Sequence, residues 1–205
     1  MNLCYGMSMS KPYTPNDTWS RKAASEGYRA RSVYKLMELQ ERFKLLKPGM
    51  TVLDVAAAPG SWLQYTSEII GPKGKVIGLD LTPIKPIAEN VKTFEQDINA
   101  LTEVNKLLVA ENITHVDLVL SDIAPNTSGI KDVDQWRSIE LNQSVVAIAE
   151  RFLKPKGFCV LKVFRGADFD EFLRDLKKGW DDVRPAHVEA SRDRSREVYI
   201  VMRKR

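Results

Sequence analysis

The chain has 205 residues, 43% hydrophobic and 28% charged, with a net charge of +4, which is typical of one globular domain with a full core. No run of about 18 uncharged apolar residues occurs, and Met1 to Ser10 lack the basic start and apolar core of a signal peptide, so we expect neither a membrane-spanning helix nor secretion. The two cysteines, Cys4 and Cys159, show no metal-ligand spacing, which predicts a cytoplasmic protein that binds no metal.

The two ends of the chain carry its positive charge. Residues 1–50 hold nine Lys or Arg against four Asp or Glu, and residues 191–205 hold six against two, which leaves a net −5 for residues 51–190. We expect residues 1–18 to be a disordered extension, and residues 19–205 to form a single domain that begins with a basic helical segment over 19–47. Two basic ends that pack at one side of the domain would form a cationic surface suited to a polyanion. Scattered charge that only aids solubility is the alternative.

Tyrosines alternate with basic residues in the first segment. Tyr28 and Tyr34 offer faces on which bases could stack, beside side chains that could contact phosphates. Together with the basic C-terminal end, this pattern predicts RNA binding. The candidate RNA-binding residues are Arg21, Lys22, Arg29, Arg31, Arg194 and Arg196.

A short apolar strand over residues 51–55 leads into a loop of small residues, Ala56 to Ser61, and then into a helix over residues 62–70. Such a loop lets the backbone approach a ligand closely and directs the first N–H groups of the helix towards it. The pattern is not G-x-G-x-x-G, since Ala56 and Ala58 carry methyl groups. This argues against a dinucleotide pyrophosphate, and an ordinary strand-to-helix turn is the alternative.

Two acidic residues follow the next two predicted strands. Asp80 ends the run Lys75 to Asp80, about 26 residues after Asp54, a spacing at which a carboxylate can accept both hydroxyl groups of a ribose. Asp97 follows the third strand, where an adenine amino group would need an acceptor. Loop and acids together fit an adenosine ligand without phosphates, such as S-adenosylmethionine. Either acid alone could be a solvated loop residue or a helix N-cap.

Helices and strands alternate through the rest of the chain, which predicts a doubly wound, mainly parallel sheet. The last two strands are joined without a helix, which indicates an antiparallel edge. The fold class is therefore α/β, the seven-stranded architecture of Rossmann-like methyltransferases. The predicted helices cover residues 100–110, 133–153 and 168–178, and the predicted strands cover 116–121, 158–164, 183–188 and 197–202.

Two lysines and two carboxylates are expected at the rim of this sheet, and these are Lys35, Asp122, Lys162 and Glu197. Such a group can hold and deprotonate a weak nucleophile such as a sugar hydroxyl. Lys162 is the hardest to explain otherwise, because an amine within an apolar strand is costly to bury. Lys35 alone could be a phosphate contact, and Glu197 alone an exposed acid.

Five motifs in order resemble the FtsJ/RrmJ family of RNA 2′-O-ribose methyltransferases. They are Glu26 to Leu36, Leu53 to Trp62, Ser121 to Asn126, Leu161 to Phe164 and Ser195 to Val201. The resemblance implies that the Lys35, Asp122, Lys162 and Glu197 tetrad is catalytic. It also implies S-adenosylmethionine binding, for which the candidate residues are Asp54, Ala57, Pro59, Gly60, Ser61, Trp62, Asp80, Leu81, Asp97, Ile98 and Asp122.

The implied substrate is a uridine of 23S ribosomal RNA in the assembled large subunit, methylated by a monomeric enzyme. An anticodon-loop ribose of transfer RNA is the alternative substrate. Two other classes stay open, a nicotinamide-dependent oxidoreductase and a non-catalytic RNA-binding protein. The first would favour the glycine fingerprint that residues 54–60 lack, and the second gives no reason for Lys162 and Asp122 at strand ends. A base-amino methyltransferase is disfavoured because Ser121 to Pro125 is not an Asn/Asp-Pro-Pro-aromatic loop.

Overall fold

In the computed structural model, the described residues are 18–190 and 196–205. Residues 1–17, expected to form an extension, and Arg194, a predicted RNA contact, lie outside them; Thr18 is already helical. The helices are α1 Thr18–Ser25, α2 Val33–Phe43, α3 Ser61–Ile70, α4 Leu101–Ala110, α5 Lys131–Phe152 and α6 Phe169–Gly179. The strands are β1 Thr51–Val55, β2 Lys75–Asp80, β3 Val91–Glu95, β4 Val116–Ser121, β5 Leu153–Phe164, β6 Trp180–Ala186 and β7 Glu197–Lys204.

The strands form one seven-stranded sheet in the order β3-β2-β1-β4-β5-β7-β6. Strands β1 to β5 pair in parallel, and β7 is antiparallel to both of its neighbours. The predicted fold class, with its antiparallel strands at one side, is therefore confirmed. Since the parallel strands point the same way, the residues after β1, β2, β3 and β4 meet at one edge of the sheet.

Each face of the sheet has its own hydrophobic core. On one face, Leu36 and Leu39 of α2 and Leu63 of α3 pack against strand residues such as Val52 and Leu118. On the other face, α4, α5 and α6 cover the alternate strand residues. Side chains alternate between the two faces along a strand, and both faces of the central strands are buried. The sequences of these strands are therefore almost continuously apolar.

The N-terminal helices lie against the segment that follows β6. Ala23 of α1 and Tyr34 of α2 share a small cluster with Ala190, and Arg31 donates a 2.8 Å hydrogen bond to the Ala190 carbonyl. Lys35 of α2 reaches Glu197 at the start of β7. The start of β7 therefore lies beside the N-terminal helices. Arg203, Lys204 and Arg205 lie at the opposite end of β7, where Lys204 donates a 2.7 Å hydrogen bond to the Leu153 carbonyl, so the expected packing of the two basic ends at one side holds only for the start of β7.

Strand β5 begins earlier than the sequence predicts. Leu153 already pairs with Val116, and the register shifts before Phe158 pairs with Leu118. Residues 154–157, expected to be only a turn after α5, form a bulge between these two pairs, where β4 has the single residue Asp117. Strand β6 likewise begins at Trp180, three residues earlier than expected.

Among the described residues, no helix is both long and apolar enough to cross a bilayer. In the same part of the chain, no cluster of three or more His, Cys, Asp or Glu residues could hold a metal ion.

Candidate active site

Two lysines and two carboxylates from four distant segments meet at the carboxyl edge of β4 and β5. Lys35 Nζ lies 2.8 Å from Glu197 Oε2 and 3.9 Å from Asp122 Oδ1. Lys162 Nζ lies 3.1 Å from Asp122 Oδ1 and 4.0 Å from Glu197 Oε1. Each cation thus faces both carboxylates, and the four predicted residues are brought together.

The fold explains why these four side chains converge. Lys162 and Glu197 lie on adjacent antiparallel strands, and Phe164 pairs with Glu197 in the register that sets Lys162 opposite Tyr199. Asp122 follows the last residue of β4, which is parallel to β5. Lys35 lies on α2, which packs over the same face of the sheet.

Lys162 is held rigidly. Its ammonium donates a 2.6 Å hydrogen bond to the Asp122 carbonyl oxygen and faces the carboxylate of the same residue. Its backbone carbonyl accepts a 2.8 Å hydrogen bond from the buried Asn142 side chain of α5. Only 4% of Lys162 is exposed, so its amine is buried next to Asp122, which lines the small pocket described below.

Tyr199 completes this group and was not predicted. It is fully buried, and its hydroxyl donates a 2.5 Å hydrogen bond to Asp122 Oδ1. Burial, the nearby Asp122 and this hydrogen bond raise the pKa of Tyr199 well above its ordinary value, so it stays a neutral donor that fixes the carboxylate. Tyr199 lies two residues after Glu197, and a period of two along β7 places both on one face. That spacing was the available signal.

The loop between β1 and α3 adopts left-handed backbone conformations at two positions. Ala56 has φ of 64° and Gly60, the N-cap of α3, has φ of 103°. Such a conformation costs an alanine about 1 kcal/mol relative to glycine. The backbone at Ala56 is therefore strained by about this amount. The loop is anchored by Asp80, whose Oδ2 accepts a 2.8 Å hydrogen bond from the Ala58 N–H.

A cavity of about 610 Å³ opens beside this loop at the ends of β1, β2, β3 and β4. Four of the predicted cofactor residues line it, namely Asp80, Leu81, Asp97 and Ile98. Arg137, Glu140 and Leu141 of α5 also line it and were not predicted. Their position depends on how α5 packs over the sheet, which no local sequence pattern indicates.

A second, much smaller pocket of about 30 Å³ lies between the loop and the tetrad. Its lining includes the predicted residues Asp54, Ala57, Ser61, Trp62 and Asp122, while Ala56 lines both pockets. The remaining predicted cofactor residues, Pro59 and Gly60, line neither pocket. They lie at the turn into α3, where the Pro59 carbonyl accepts a hydrogen bond from Arg29.

Asp54 is the most unusual group in the small pocket. It is 2% exposed, and its Oδ2 atom has no hydrogen-bond partner. Burial raises the pKa of Asp54 well above its usual range, and the carboxylates of Asp122 and Asp80 raise it further. A positively charged ligand group would satisfy the orphaned oxygen and balance the three acids. Asp54 and Asp122 thus give the lining of this small pocket the carboxylates that an ammonium or a sulfonium would need as partners.

The predicted RNA contacts fall into two groups. Arg21 and Lys22 lie on exposed positions of α1, where Lys22 is 4.9 Å from the centre of the Tyr34 ring. Arg29, Arg31 and Arg196 instead donate hydrogen bonds to backbone carbonyls, Arg196 to that of Lys131 at 3.4 Å. Their RNA role stays a prediction.

Solved structures share this architecture. A protein from Plasmodium falciparum described as a ribosomal RNA methyltransferase superposes with a TM-score of 0.77 at 29% identity, covering 86% of this chain and 98% of that one. Fibrillarin from Aeropyrum pernix, solved with S-adenosylmethionine, gives a TM-score of 0.59 at 18% identity over 77% of this chain and 68% of its own. The second likeness concerns the fold alone.

Sequence relatives agree with the structural comparison. A protein of Acinetobacter baumannii named ribosomal RNA large subunit methyltransferase E is 46% identical, covering 91% of this chain and 86% of its own. A protein of the same name from Desulfatibacillum aliphaticivorans is 45% identical, covering 90% and 88%. The model of the FtsJ-like methyltransferases matches residues 28–205. The chain therefore belongs to the FtsJ-like methyltransferase family.

Proposed function

We propose that this protein methylates a ribose 2′-hydroxyl of RNA with S-adenosylmethionine as the methyl donor, and that its target is a uridine of 23S ribosomal RNA. The observation that carries the proposal is the buried amine of Lys162, fixed by Asp122 beside the cofactor cavity. A weakly acidic hydroxyl needs such a group at the point where it reacts.

The described residues suit this cofactor along the whole length of the two pockets. Asp80, after β2, is assigned to the ribose hydroxyls of the cofactor, and Asp97, after β3, to its adenine amino group. Asp54, with its orphaned Oδ2, is assigned to the ammonium. When bound, the cofactor supplies an activated methyl group on a sulfonium. The remaining catalysis depends on alignment of the nucleophile with that methyl group.

The four residues of the tetrad have different roles toward the substrate hydroxyl. Lys162 takes the proton of the 2′-hydroxyl as a neutral amine, or it stabilises the developing oxyanion as an ammonium. Asp122 orients the Lys162 ammonium and is itself fixed by the hydroxyl of Tyr199. Lys35 and Glu197, joined at 2.8 Å, position the ribose at the entrance. None of these steps requires a metal.

The assignment to ribosomal RNA rests on the names of the relatives. The match to this chain covers 86% and 88% of their own length. The packing of the basic N-terminal helices beside the tetrad supports a polyanionic substrate. We further propose that the enzyme acts as a monomer in the cytoplasm on the assembled large subunit, and that residues 19–205 form its single catalytic domain.

Mapping of 2′-O-methyl groups tests this function directly. Total RNA from cells with and without the gene should differ at a uridine of the large-subunit RNA. Purified protein with labelled cofactor should restore that methyl group on large subunits from the deletion strain, and isolated 23S RNA should be a poorer substrate. A lost methyl group in a transfer RNA anticodon loop would reassign the substrate, and loss of none would refute the proposed function.

A further inference from the structure

Arg29 joins the two loops that flank the cofactor cavity. Its Nη1 donates hydrogen bonds to the Pro59 carbonyl at 3.1 Å and to the Lys85 carbonyl at 2.8 Å. Its Nη2 donates to the Pro86 carbonyl at 2.7 Å. One guanidinium thus bridges the loop after β1 and the loop after β2, where a smaller side chain could not reach both.

Gly60 lies in close contact with the Arg29 guanidinium and with the loop after β2. A Cβ atom built on Gly60 would lie 3.1 Å from Arg29 Nη1, 2.9 Å from Ile87 and 3.2 Å from Ile84. The turn into α3, the guanidinium and the loop after β2 are therefore in direct contact. A side chain at position 60 would have to displace these side-chain ends and would also be strained by the positive φ of 103°.

The segment around Arg29 is itself tied to α3. The Arg29 N–H donates to Gln64 Oε1 at 2.9 Å, and Gln64 Nε2 donates back to the Gly27 carbonyl at 3.0 Å. Trp62, at the start of α3, donates its ring N–H to the Ser32 carbonyl at 2.8 Å. The backbone of Arg29 is therefore held against α3, which fixes the position from which its guanidinium reaches the two loops.

Both bridged loops contribute to the cofactor pockets. The loop after β1 supplies Ala56 and Ala57, and Ser61 follows at the start of α3. The loop after β2 begins with Leu81 and Thr82, which line the larger cavity. Holding them at one separation before the ligand arrives removes an ordering cost that binding would otherwise bear. Such an effect acts on affinity and leaves the reacting groups in place.

We propose that Arg29 is a positioning residue that preorganises the S-adenosylmethionine pocket, and that this is its main role in place of the predicted RNA contact. The inference rests on the proposed cofactor. It differs from a general structural role because the loss should concentrate in cofactor affinity. It also places the basic N-terminal segment and the cofactor loop in one connected unit.

The test is isothermal titration calorimetry with S-adenosylmethionine and S-adenosylhomocysteine on wild type, Arg29→Ala and Arg29→Lys. Arg174→Ala, at an exposed position of α6, is the matched control for loss of one arginine. The alanine variant should bind about 10-fold to 100-fold more weakly, since it loses three hydrogen bonds from a charged donor. The lysine variant should fall between, because one ammonium cannot bridge both loops as the planar guanidinium does.

Steady-state kinetics and RNA binding separate the two roles of Arg29. The KM for the cofactor should rise by more than kcat falls, and the salt dependence of RNA affinity should match that of wild type. Wild-type cofactor affinity in folded Arg29→Ala would overturn the inference. A smaller salt dependence of RNA affinity together with unchanged cofactor affinity would overturn it as well. If the alanine variant does not fold, wild-type affinity in folded Arg29→Lys overturns it equally. Failure of the wild type itself to bind the cofactor would instead refute the proposed function.

Discussion

Asp54→Asn removes a charge that is buried in the absence of the cofactor but is needed to bind it. Asp54 is 2% exposed, its Oδ2 has no partner, and Asp122 and Asp80 are close enough to raise its pKa further. The substitution keeps the size of the side chain. We therefore expect it to stabilise the cofactor-free protein and weaken cofactor binding, two effects of opposite direction from one site.

The stability effect has a defined pH dependence. Because the folded-state pKa of Asp54 is raised, the native protein holds this proton more tightly than the unfolded chain does, for which the pKa is about 3.9. The stabilisation from the protonated carboxyl is complete below that value and is lost as pH rises through the raised folded-state pKa. Wild type and Asp54→Asn should therefore be similar in stability near pH 4, and the variant should gain with rising pH. An uncompensated buried group of this kind costs about 1–3 kcal/mol.

The binding effect follows from the same charge. Loss of a charge-assisted contact to the cofactor ammonium should cost about 1.5–3 kcal/mol, or about tenfold to a hundredfold in Kd. Wild-type binding should also release a proton when measured below the raised pKa of Asp54. Urea unfolding at several pH values and calorimetry in buffers of different ionisation enthalpy measure the two effects. A variant that is less stable than wild type at every pH, or that binds the cofactor equally well, would refute this reasoning.

Two further substitutions test the cofactor and RNA assignments. Asp80→Ala should weaken S-adenosylmethionine binding by about 1–3 kcal/mol in calorimetry, because the ribose hydroxyls lose a charged acceptor; tight binding of a nicotinamide dinucleotide instead would contradict the cofactor assignment. Replacing the exposed residues Arg21 and Lys22 with alanine should reduce the slope of log affinity against log salt for single-stranded RNA by about 1.4, since two fewer phosphates are neutralised. Alanine at Arg174 and Lys177 of α6 removes the same charge elsewhere, and an equal change in slope there would show that only net charge matters.

The sheet and the acids at its edge could be predicted because they depend on local patterns. Apolar runs marked the buried strands, and parallel strands bring their carboxyl ends together, so Asp80 and Asp97 could be placed beside one cavity. The convergence of Lys35, Asp122, Lys162 and Glu197 followed from the same rule together with the family resemblance. Their distances confirm that they meet.

Other features of the site and the fold could not be predicted, because they depend on how helices pack and on which groups long side chains reach. Arg137 and Glu140 line the cavity only because α5 crosses that edge of the sheet, which no local pattern specifies. Arg29 lies in a basic segment that is typical of RNA contacts, yet its donors are used on carbonyls 30 to 57 residues away in the chain. Leu153 joined β5 because a neighbouring strand offered pairing, against its prediction as the end of a helix.

Single-turnover methylation of large-subunit RNA by wild type, Lys162→Ala and Lys162→Arg tests the central claim most directly. All three proteins should bind the cofactor, which calorimetry verifies before rates are compared. The alanine variant should lose at least about a hundredfold in rate, because no amine remains to take or stabilise the hydroxyl proton. The arginine variant should lose nearly as much, since a guanidinium keeps its proton throughout the working pH range. Retention of most of the rate by Lys162→Arg would show that a fixed cation suffices, and retention by Lys162→Ala would contradict the catalytic role of this site.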